Sequence, residues 1–386
     1  MVILLKGMLP ELDFFIDCMA ESLEDAYVLD ISQNIFYKQL GVLDAAIDET
    51  THVITFDSVG LSVETSEGLN YWELKRVKFH NIFVDAPICF YNVLERHLKC
   101  MQVIVIDRNH KEFINTYYPD CPVEFLPHGG AVLPSDKEIA YEDREVEVLY
   151  VGSRKFEDQP VIIDSLPDGG RELFNMAEQT LIKYPHMTLE KVFDKYMDEV
   201  GIKLEPKTQL MIIGALYDVV LRKVRSCYQA KIIEALASAG IHVDVYYGEE
   251  WKEIAGKYPG YITVHEKILP EECLKLMHSS KITLNIQPWF KYGAHERIYN
   301  AMLNGSVCVT DTSEYLQKYF KNGRDIVFYE LNDLDRLVKS VKMLLENPGY
   351  AKNIIENQKK AAASSTWQNR IHNILEQRFE EGKDFV

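Results

Sequence analysis

Short apolar runs alternate with amphipathic stretches from residue 1 to about residue 130. The runs are rich in β-branched and aromatic residues and lie at 2–5, 27–29, 52–56, 81–84, 102–106 and 123–126. Nearly continuous apolar runs of this length are typical of strands that are buried on both faces of a parallel sheet. Stretches with helical periodicity, such as 12–23 and 93–99, separate them. The pattern therefore predicts repeated β-α-β units.

A second series of apolar runs follows a polar segment at 134–145, which we interpret as a connection between two domains. These runs lie at 146–151, 243–247, 262–264, 282–286, 307–310 and 326–329. A mostly helical stretch at about 171–228 fits no strand and is predicted to be an insertion. Helical patterns return at 334–345 and at 351–379. We therefore predict an α/β protein with two Rossmann-like, doubly wound domains, at 1–135 and 145–350, followed by C-terminal helices at 351–386.

Charge and hydropathy narrow the range of partners. The chain of 386 residues has 59 acidic against 42 basic residues, and its net charge of −17 repels nucleic acids and anionic membranes. The longest apolar stretch, 210–221, contains Asp218 and predicts a buried helix instead of a transmembrane segment. The first residues form no signal-peptide core, which predicts a cytoplasmic protein.

Common cofactor and metal motifs are missing from the sequence. The seven cysteines are scattered and form no paired Cys-x-x-Cys motif, and no dinucleotide or P-loop glycine fingerprint follows a strand. Asp333 and Asp335 open an amphipathic helix, where carboxylates commonly cap the helix N-terminus. We therefore predict neither a cofactor nor a metal site.

The most informative segment runs from Leu284 to Asp311. It predicts a strand that ends near Gln287, a loop, a helix over 294–304 that Gly305 terminates, and a new strand. A helix N-terminus that follows a strand can bind a diphosphate through free backbone N–H groups. In its first turn Arg297 could pair with a phosphate and Glu296 could accept from a sugar hydroxyl. Alternatively, Glu296 only complements the helix dipole and Arg297 is solvated.

Several motifs together resemble the group 1 glycosyltransferases of GT-B fold, and most closely the branch that contains the spore maturation protein CgeB. The motifs are 295–302 (HERIYNAM) with Gly305 and Thr310-Asp311, 325–329 (DIVFY), Thr366-Trp367 with Arg370, 83–87 (FVDAP), 107–110 (DRNH) and 125–130 (FLPHGG). The resemblance implies two domains that close on a nucleoside-diphosphate sugar, with UDP-sugar as the expected donor, held mainly by the C-terminal domain. It also implies a retaining transfer and a terminal helix that crosses back to the first domain. The two glutamates that many of these enzymes carry fall at Tyr292 and Asn300 here, so Asn300 would replace a carboxylate.

The candidate site residues follow from the resemblance to glycosyltransferases and from the need to stabilise a departing diphosphate without a metal. The predicted donor-binding residues are Gly152, Ser153, Arg154, Lys155, Tyr292, His295, Glu296, Arg297 and Asn300. The candidate catalytic residues are His128, Glu296 and Asp85, and Asp107 is a further carboxylate that could accept a proton. Arg154 and Lys155 could instead form a solvated turn, His128 could be a structural hydrogen-bonding residue, and the two aspartates could cap helices or tie loops.

Three functions remain open on the sequence alone. The first is a cytoplasmic, metal-independent glycosyltransferase of the hexosyltransferase type. The second is other nucleotide-sugar chemistry on the same fold, and the third is a non-catalytic nucleotide-sugar-binding or spore-surface assembly protein. The acceptor could be a glycan, a lipid-linked sugar, a protein or a small molecule.

Overall fold

A computed structural model describes residues 1–96, 98–134, 138–154, 163–164 and 166–379. The chain divides into two compact units. The first unit holds the described residues of Met1–Ala131, Tyr292–Glu296 and Ala363–Val386, and the second holds those of Val132–Lys291 and Arg297–Ala362. Each unit contains one six-stranded sheet in which all neighbouring strands are parallel.

The first sheet has the strand order β2-β1-β3-β4-β5-β6. Its strands are β1 (Val2–Lys6), β2 (Ala26–Asp30), β3 (His52–Phe56), β4 (Lys78–Phe83), β5 (Met101–Val105) and β6 (Val123–Phe125). The helices between them are α1 (Pro10–Ala20), α2 (Phe36–Leu43), α3 (Tyr71–Lys75), α4 (Tyr91–Glu95) and α5 (Arg108–Tyr117). The apolar side chains of the central strands are buried, as the continuous runs predicted.

The second sheet has the order β12-β11-β10-β7-β8-β9. Its strands are β7 (Val146–Val151), β8 (Val243–Tyr246), β9 (Ile262–His265), β10 (Ser280–Asn285), β11 (Val307–Asp311) and β12 (Val327–Tyr329). The helices of this part of the chain are α6 (Asp168–Lys183), α7 (Leu189–Val200), α8 (Pro206–Ser238), α9 (Lys252–Lys257), α10 (Pro270–Ser279), α11 (Glu296–Leu303), α12 (Glu314–Tyr319), α13 (Leu334–Glu346) and α14 (Pro348–Ala361). The predicted α/β class with two doubly wound parallel sheets is thereby confirmed.

The helical stretch between β7 and β8 differs from the predicted insertion in one respect. Helix α8 continues past Tyr228 to Ser238, because its buried residues Ile232, Ile233 and Leu236 share the apolar core with the strands of the second sheet. The predicted end of the insertion, at residue 228, lies within α8. This helix therefore belongs both to the inserted helices and to the layer that packs on the sheet.

The C-terminal region also differs from the single helical pattern predicted at 351–379. It forms α14 and a separate helix, α15 (Trp367–Leu375), which Thr366 caps by accepting from the Asn369 N–H. Between the two helices, Gly130 N–H donates to Ser365 O at 2.8 Å and Trp367 N–H donates to Gly130 O at 3.0 Å. This pairing interrupts the helix and attaches α15 to the first unit.

Two stacked histidines lie inside the first sheet. His52 Nδ1 is 3.0 Å from His80 Nε2, and His80 Nδ1 is 3.0 Å from Gln102 Oε1. Because the amide oxygen of Gln102 accepts, His80 carries its proton on Nδ1 and accepts from His52 on Nε2. Burial lowers the pKa of His80 to about 4 and also lowers the pKa of His52, so both rings are neutral near pH 7.

This chain of hydrogen bonds predicts acid destabilisation of the first unit. A histidine whose pKa is depressed on folding stabilises the fold above its unfolded pKa of about 6.5 and loses that contribution as pH falls. We expect His80 alone to cost up to about 3 kcal/mol in urea unfolding between pH 6.5 and pH 4, and His80→Gln to remove that share of the pH dependence. His110, whose pKa burial also lowers to about 4, keeps its own contribution in the variant. The exposed His186 serves as control, since His186→Gln should leave the pH dependence intact. Equal pH dependence in the wild type and His80→Gln would contradict the prediction.

Candidate functional site

The strand order of the second sheet reverses between β7 and β10. The chain runs from β7 outward to β8 and β9, and then returns to the other side of β7 for β10, β11 and β12. Ligands of open α/β sheets bind outside the carboxyl ends of the two strands at such a reversal. The predicted donor residues Gly152, Ser153 and Arg154 directly follow β7, and Arg297 lies in the first turn of α11, which follows β10.

Arg297 is held at this reversal by one residue from each flanking strand. Its Nη1 donates to Asn285 Oδ1, at the end of β10, at 2.8 Å. Its guanidinium carbon lies 5.7 Å from the ring centroid of Tyr150 in β7, a cation–π distance. Burial raises the pKa of Tyr150, so the phenol stays neutral, and its hydroxyl accepts from Gln229 Nε2 at 2.7 Å. The same Gln229 nitrogen donates to Ser153 O at 3.1 Å, which ties the loop after β7 to this group.

The loop after β7 is fixed to the loop after β8. Gly152 N–H donates to Tyr246 O at 3.2 Å, and Gly152 O accepts from Trp251 Nε1 at 3.0 Å. A side chain at Gly152 would place its Cβ 2.8 Å from the Tyr150 hydroxyl. Arg154 Nη1 donates to Glu250 O at 3.2 Å, which anchors Arg154 to the loop after β8. Lys155, the fourth predicted residue of this loop, lies outside the described residues.

A buried polar network shapes the loop after β10. Asn285 Nδ2 donates to Gln287 Oε1 at 3.3 Å, and Gln287 N–H donates to Asp311 Oδ1 at 2.7 Å. Asp311 also forms an ion pair with Lys291, whose Nζ donates to Thr312 O at 2.8 Å. Both charged side chains are buried. The network connects the ends of β10 and β11 and orients Asn285 toward Arg297.

The first unit contains a second polar group, centred on His128. His128 is buried between the rings of Phe15 and Trp367, at centroid distances of 5.2 and 4.8 Å. Its Nδ1 lies 2.9 Å from Gly129 O and donates to that carbonyl, so Nε2 carries the lone pair. Glu296 Oε2 lies 3.9 Å from Nε2. Burial lowers the pKa of His128, and the charge of Glu296 opposes this shift only in part, so the ring is neutral. A neutral imidazole nitrogen and a carboxylate therefore face each other. Both are hydrogen-bond acceptors, which suit the hydroxyl groups of a sugar.

The segment before α11 is fastened to the end of β5. Tyr292 N–H donates to Asp107 Oδ2 at 3.0 Å, and Gly293 pairs with Asp107. A Cβ on Gly293 would lie 2.1 Å from Ile106 O, so this position requires glycine. Asp107 Oδ1 accepts from Asn109 N–H at 2.7 Å and caps α5. Asp107 therefore ties a loop and caps a helix. Because Gly293 is paired with Asp107, α11 begins at Glu296, two residues later than predicted.

The structure places the predicted carboxylate Asp85 on the surface, in the loop after β4. The half-buried carboxylate of this region is Asp57, which directly follows β3 and accepts from Val84 N–H at 3.0 Å. Burial, and next the charge of Asp85, raise the pKa of Asp57 to about 7. Asp57 can therefore exchange a proton near neutral pH.

The predicted donor residues are divided between the two units. Tyr292, His295 and Glu296 belong to the first unit, whereas Arg297 and the buried Asn300 belong to the second. Within the described part of the chain, no group of three or more His, Cys, Asp or Glu side chains is arranged to hold a metal ion. None of the described helices is both long and apolar enough to cross a membrane.

Comparison with known proteins gives a family match over part of the chain and a fold. Residues 222–376 match a family described as glycosyl transferase-like. A glycosyltransferase from Rickettsia africae ESF-5 is 10% identical, with 97% of each chain covered and a TM-score of 0.54. HepE from Anabaena, solved with UDP and glucose, is 11% identical, with 97% of this chain and 99% of HepE covered and a TM-score of 0.53. The protein has the GT-B fold.

A third GT-B structure, S. aureus TarM in complex with fondaparinux, alpha-GlcNAc-glycerol and UDP, is 8% identical with a TM-score of 0.51. The alignment covers 87% of this chain but 57% of TarM, so the chain spans little more than half the length of that protein. No curated protein sequence matches the chain significantly. The predicted GT-B fold is confirmed, and the match to the glycosyl transferase-like family covers residues 222–376, less than half of the chain.

Some residues of these groups were not predicted from the sequence, among them Asn285, Tyr150, Asp57 and Glu250. A usable signal exists for two of them, because Asn285 is a polar residue at the end of an apolar run and Asp57 directly follows one. Such positions lie at the carboxyl edge of a parallel sheet, where ligands bind. Tyr150 and Glu250 carry no comparable signal.

The buried pair below the Arg297 site yields a stability prediction. Asp311→Ala leaves the Lys291 charge buried without its partner, so we expect a loss of about 3–5 kcal/mol in urea unfolding. The double variant Lys291→Met/Asp311→Leu should lose less, because no charge remains buried. Asp335→Ala, which removes an exposed first-turn carboxylate of α13, should cost less than about 1 kcal/mol. A double variant at least as unstable as Asp311→Ala would contradict the prediction.

Proposed function

We propose that the protein is a glycosyltransferase that moves a sugar from a nucleoside-diphosphate sugar, with a UDP-sugar as the first choice, to an acceptor hydroxyl. The observation that carries the proposal is the placement of Arg297. A guanidinium held by Asn285 and Tyr150 at the carboxyl ends of β10 and β7 lies where doubly wound folds bind phosphates. The HepE and TarM structures, which share the fold, were solved with UDP.

Arg297 and Arg154 are the cations proposed to stabilise the leaving diphosphate. Negative charge builds on that group as the glycosidic bond breaks, and prearranged donors stabilise it without reorganisation. The Gly152 backbone lets the phosphates approach the end of β7 closely. Since these groups can meet the charge of the diphosphate themselves, the proposed reaction needs no metal.

His128 and Glu296 are proposed to contact the transferred sugar or the acceptor hydroxyl. The neutral His128 offers its Nε2 lone pair and Glu296 its carboxylate, 3.9 Å apart, so together they accept from two hydroxyl protons. Asp57, with its raised pKa, is a second candidate proton acceptor of this unit beside Asp85. The proposal also includes three predictions made from the sequence: a retaining reaction, membership of the CgeB-like branch and a cytoplasmic location. It names no particular acceptor.

Removing Arg297 tests the donor site. We expect Arg297→Ala to weaken UDP binding about 10- to 100-fold, which is what loss of a charged hydrogen bond costs. The measurement is thermal unfolding with UDP, ADP and GDP in chelator and then with Mg²⁺ or Mn²⁺; a ligand at 100 times its Kd adds about 2.7 kcal/mol. Arg336→Ala, at an exposed arginine of α13, is the matched control and should bind like the wild type.

Two results would oppose this reading of the donor site. If no nucleoside diphosphate shifts unfolding of the wild type, the transferase proposal fails and a binding or assembly role replaces it. If binding appears only after Mg²⁺ or Mn²⁺ is added, the metal-independent part of the proposal is wrong.

Glu296 is expected to act on turnover and not on nucleotide affinity. Glu296→Gln should slow UDP release from UDP-glucose or UDP-GlcNAc at least tenfold while the Kd of UDP changes less than twofold, because the residue contacts the sugar side. Glu271→Gln alters an exposed first-turn glutamate of α10 and should leave both quantities unchanged. Equal loss of UDP affinity and turnover in Glu296→Gln would argue against a sugar-side role.

A further inference from the structure

The loop after β8 has an unusual backbone. Tyr247 adopts φ 80°, a left-handed conformation that few residues with a side chain adopt, and Gly248 follows with φ 129°. The Tyr247 hydroxyl donates to Ile268 O at 3.0 Å and holds this conformation. Strained backbone that the surrounding contacts maintain is found mainly at ligand-binding positions.

This backbone places the carboxylate of Glu250. A Cβ built on Gly248 would lie 2.0 Å from Glu250 Oε2, so the carboxylate folds back over the glycine and any side chain there would displace it. Trp251, which is fully buried, donates from Nε1 to Gly152 O at 3.0 Å. Arg154 donates to Glu250 O at 3.2 Å. Glu250 is thus fixed beside the loop after β7, next to the strand reversal.

Two polar atoms in this group have no hydrogen-bond partner among the residues that the structure describes. They are Glu250 Oε2 and Arg154 Nε, and both are buried. A charged group loses much of its hydration when it is buried, so an unpaired carboxylate oxygen is costly unless a ligand donates to it. The neighbouring Glu249 contrasts with it: that side chain is exposed and pairs with Lys252 at 2.6 Å.

The position of Glu250 in the fold indicates which group of a ligand would donate a hydrogen bond to its carboxylate. Counted outward from the reversal, β8 is the second strand of the order β7-β8-β9. In doubly wound nucleotide-binding folds, a carboxylate that follows the second strand accepts hydrogen bonds from ribose hydroxyls, while the phosphates lie at the end of the first strand. Here the end of the first strand carries Gly152 and Arg154.

We propose that Glu250 determines the specificity of the protein for a ribonucleotide, by accepting hydrogen bonds from the ribose hydroxyls of the nucleoside diphosphate. This inference rests on the proposed function, since it names the contact of the same donor site with the nucleoside. Gly248 and Tyr247 position the carboxylate, and Arg154 orients the turn that carries it.

The test compares UDP with 2′,3′-dideoxy-UDP by calorimetric titration of the full chain. The wild type should bind UDP at least tenfold more tightly than the dideoxy form, because the latter donates nothing to Glu250. Glu250→Gln, which keeps the shape and removes the charge, should weaken UDP binding about tenfold and leave dideoxy-UDP binding unchanged. Glu249→Gln, on the same turn, is the matched control and should behave as the wild type.

Each alternative outcome has a distinct meaning. Unchanged UDP affinity in Glu250→Gln overturns the inference while the donor site stands. Equal losses for UDP and dideoxy-UDP also overturn it, because Glu250 would then only position the loop. If the wild type binds neither UDP, ADP nor GDP, the inference and the proposed function fail together.

Discussion

The hydrogen bond between Asn285 and Arg297 is the interaction on which the account of this protein depends. A guanidinium at the edge of buried strands loses hydration, and a carbonyl oxygen together with an aromatic face compensates for part of that loss. Among the described residues, Asn285 takes one of the five N–H donors of Arg297. The remaining donors are kept in a fixed orientation at the reversal between β7 and β10. Gln287 and Asp311 orient Asn285, and Lys291 pairs with Asp311. The buried ion pair thus stabilises the Arg297 site without contacting Arg297.

The two units carry chemically different groups. The second unit offers Arg297, Arg154 and the Gly152 backbone, which suit an anion. The first offers acceptors: the neutral Nε2 of His128, the Glu296 carboxylate and Asp57 with its raised pKa. Cations and backbone N–H groups suit a phosphate, whereas lone-pair acceptors suit sugar hydroxyls. The proposed reaction class therefore rests on the residues of each unit taken separately.

The sequence predicted the fold well because buried parallel strands have a direct signature. A short, continuous apolar run is stable in a sheet that is covered on both faces. For this reason the strands predicted at 2–5 and at 307–310 end within two residues of the observed strands. The position of Arg297 was predictable for a similar reason, since it lies in the first turn of the helix that follows β10 and its loop. The start of α11 was harder to predict, because it depends on the pairing of Gly293 with Asp107, which are far apart in the chain.

Side chains whose role depends on distant partners could not be read from the sequence. The pKa of Asp57 rises because the carboxyl group is buried and because the charge of Asp85, which follows a different strand, acts on it. The proposed role of Glu250 depends on Gly248, which leaves room for the carboxylate to fold back. The most direct test of the central claim is a crystal structure of the protein with UDP. The account predicts the diphosphate at the carboxyl ends of β7 and β10, within hydrogen-bond distance of the Arg297 guanidinium. A nucleotide bound in that crystal without contact to Arg297 would contradict it.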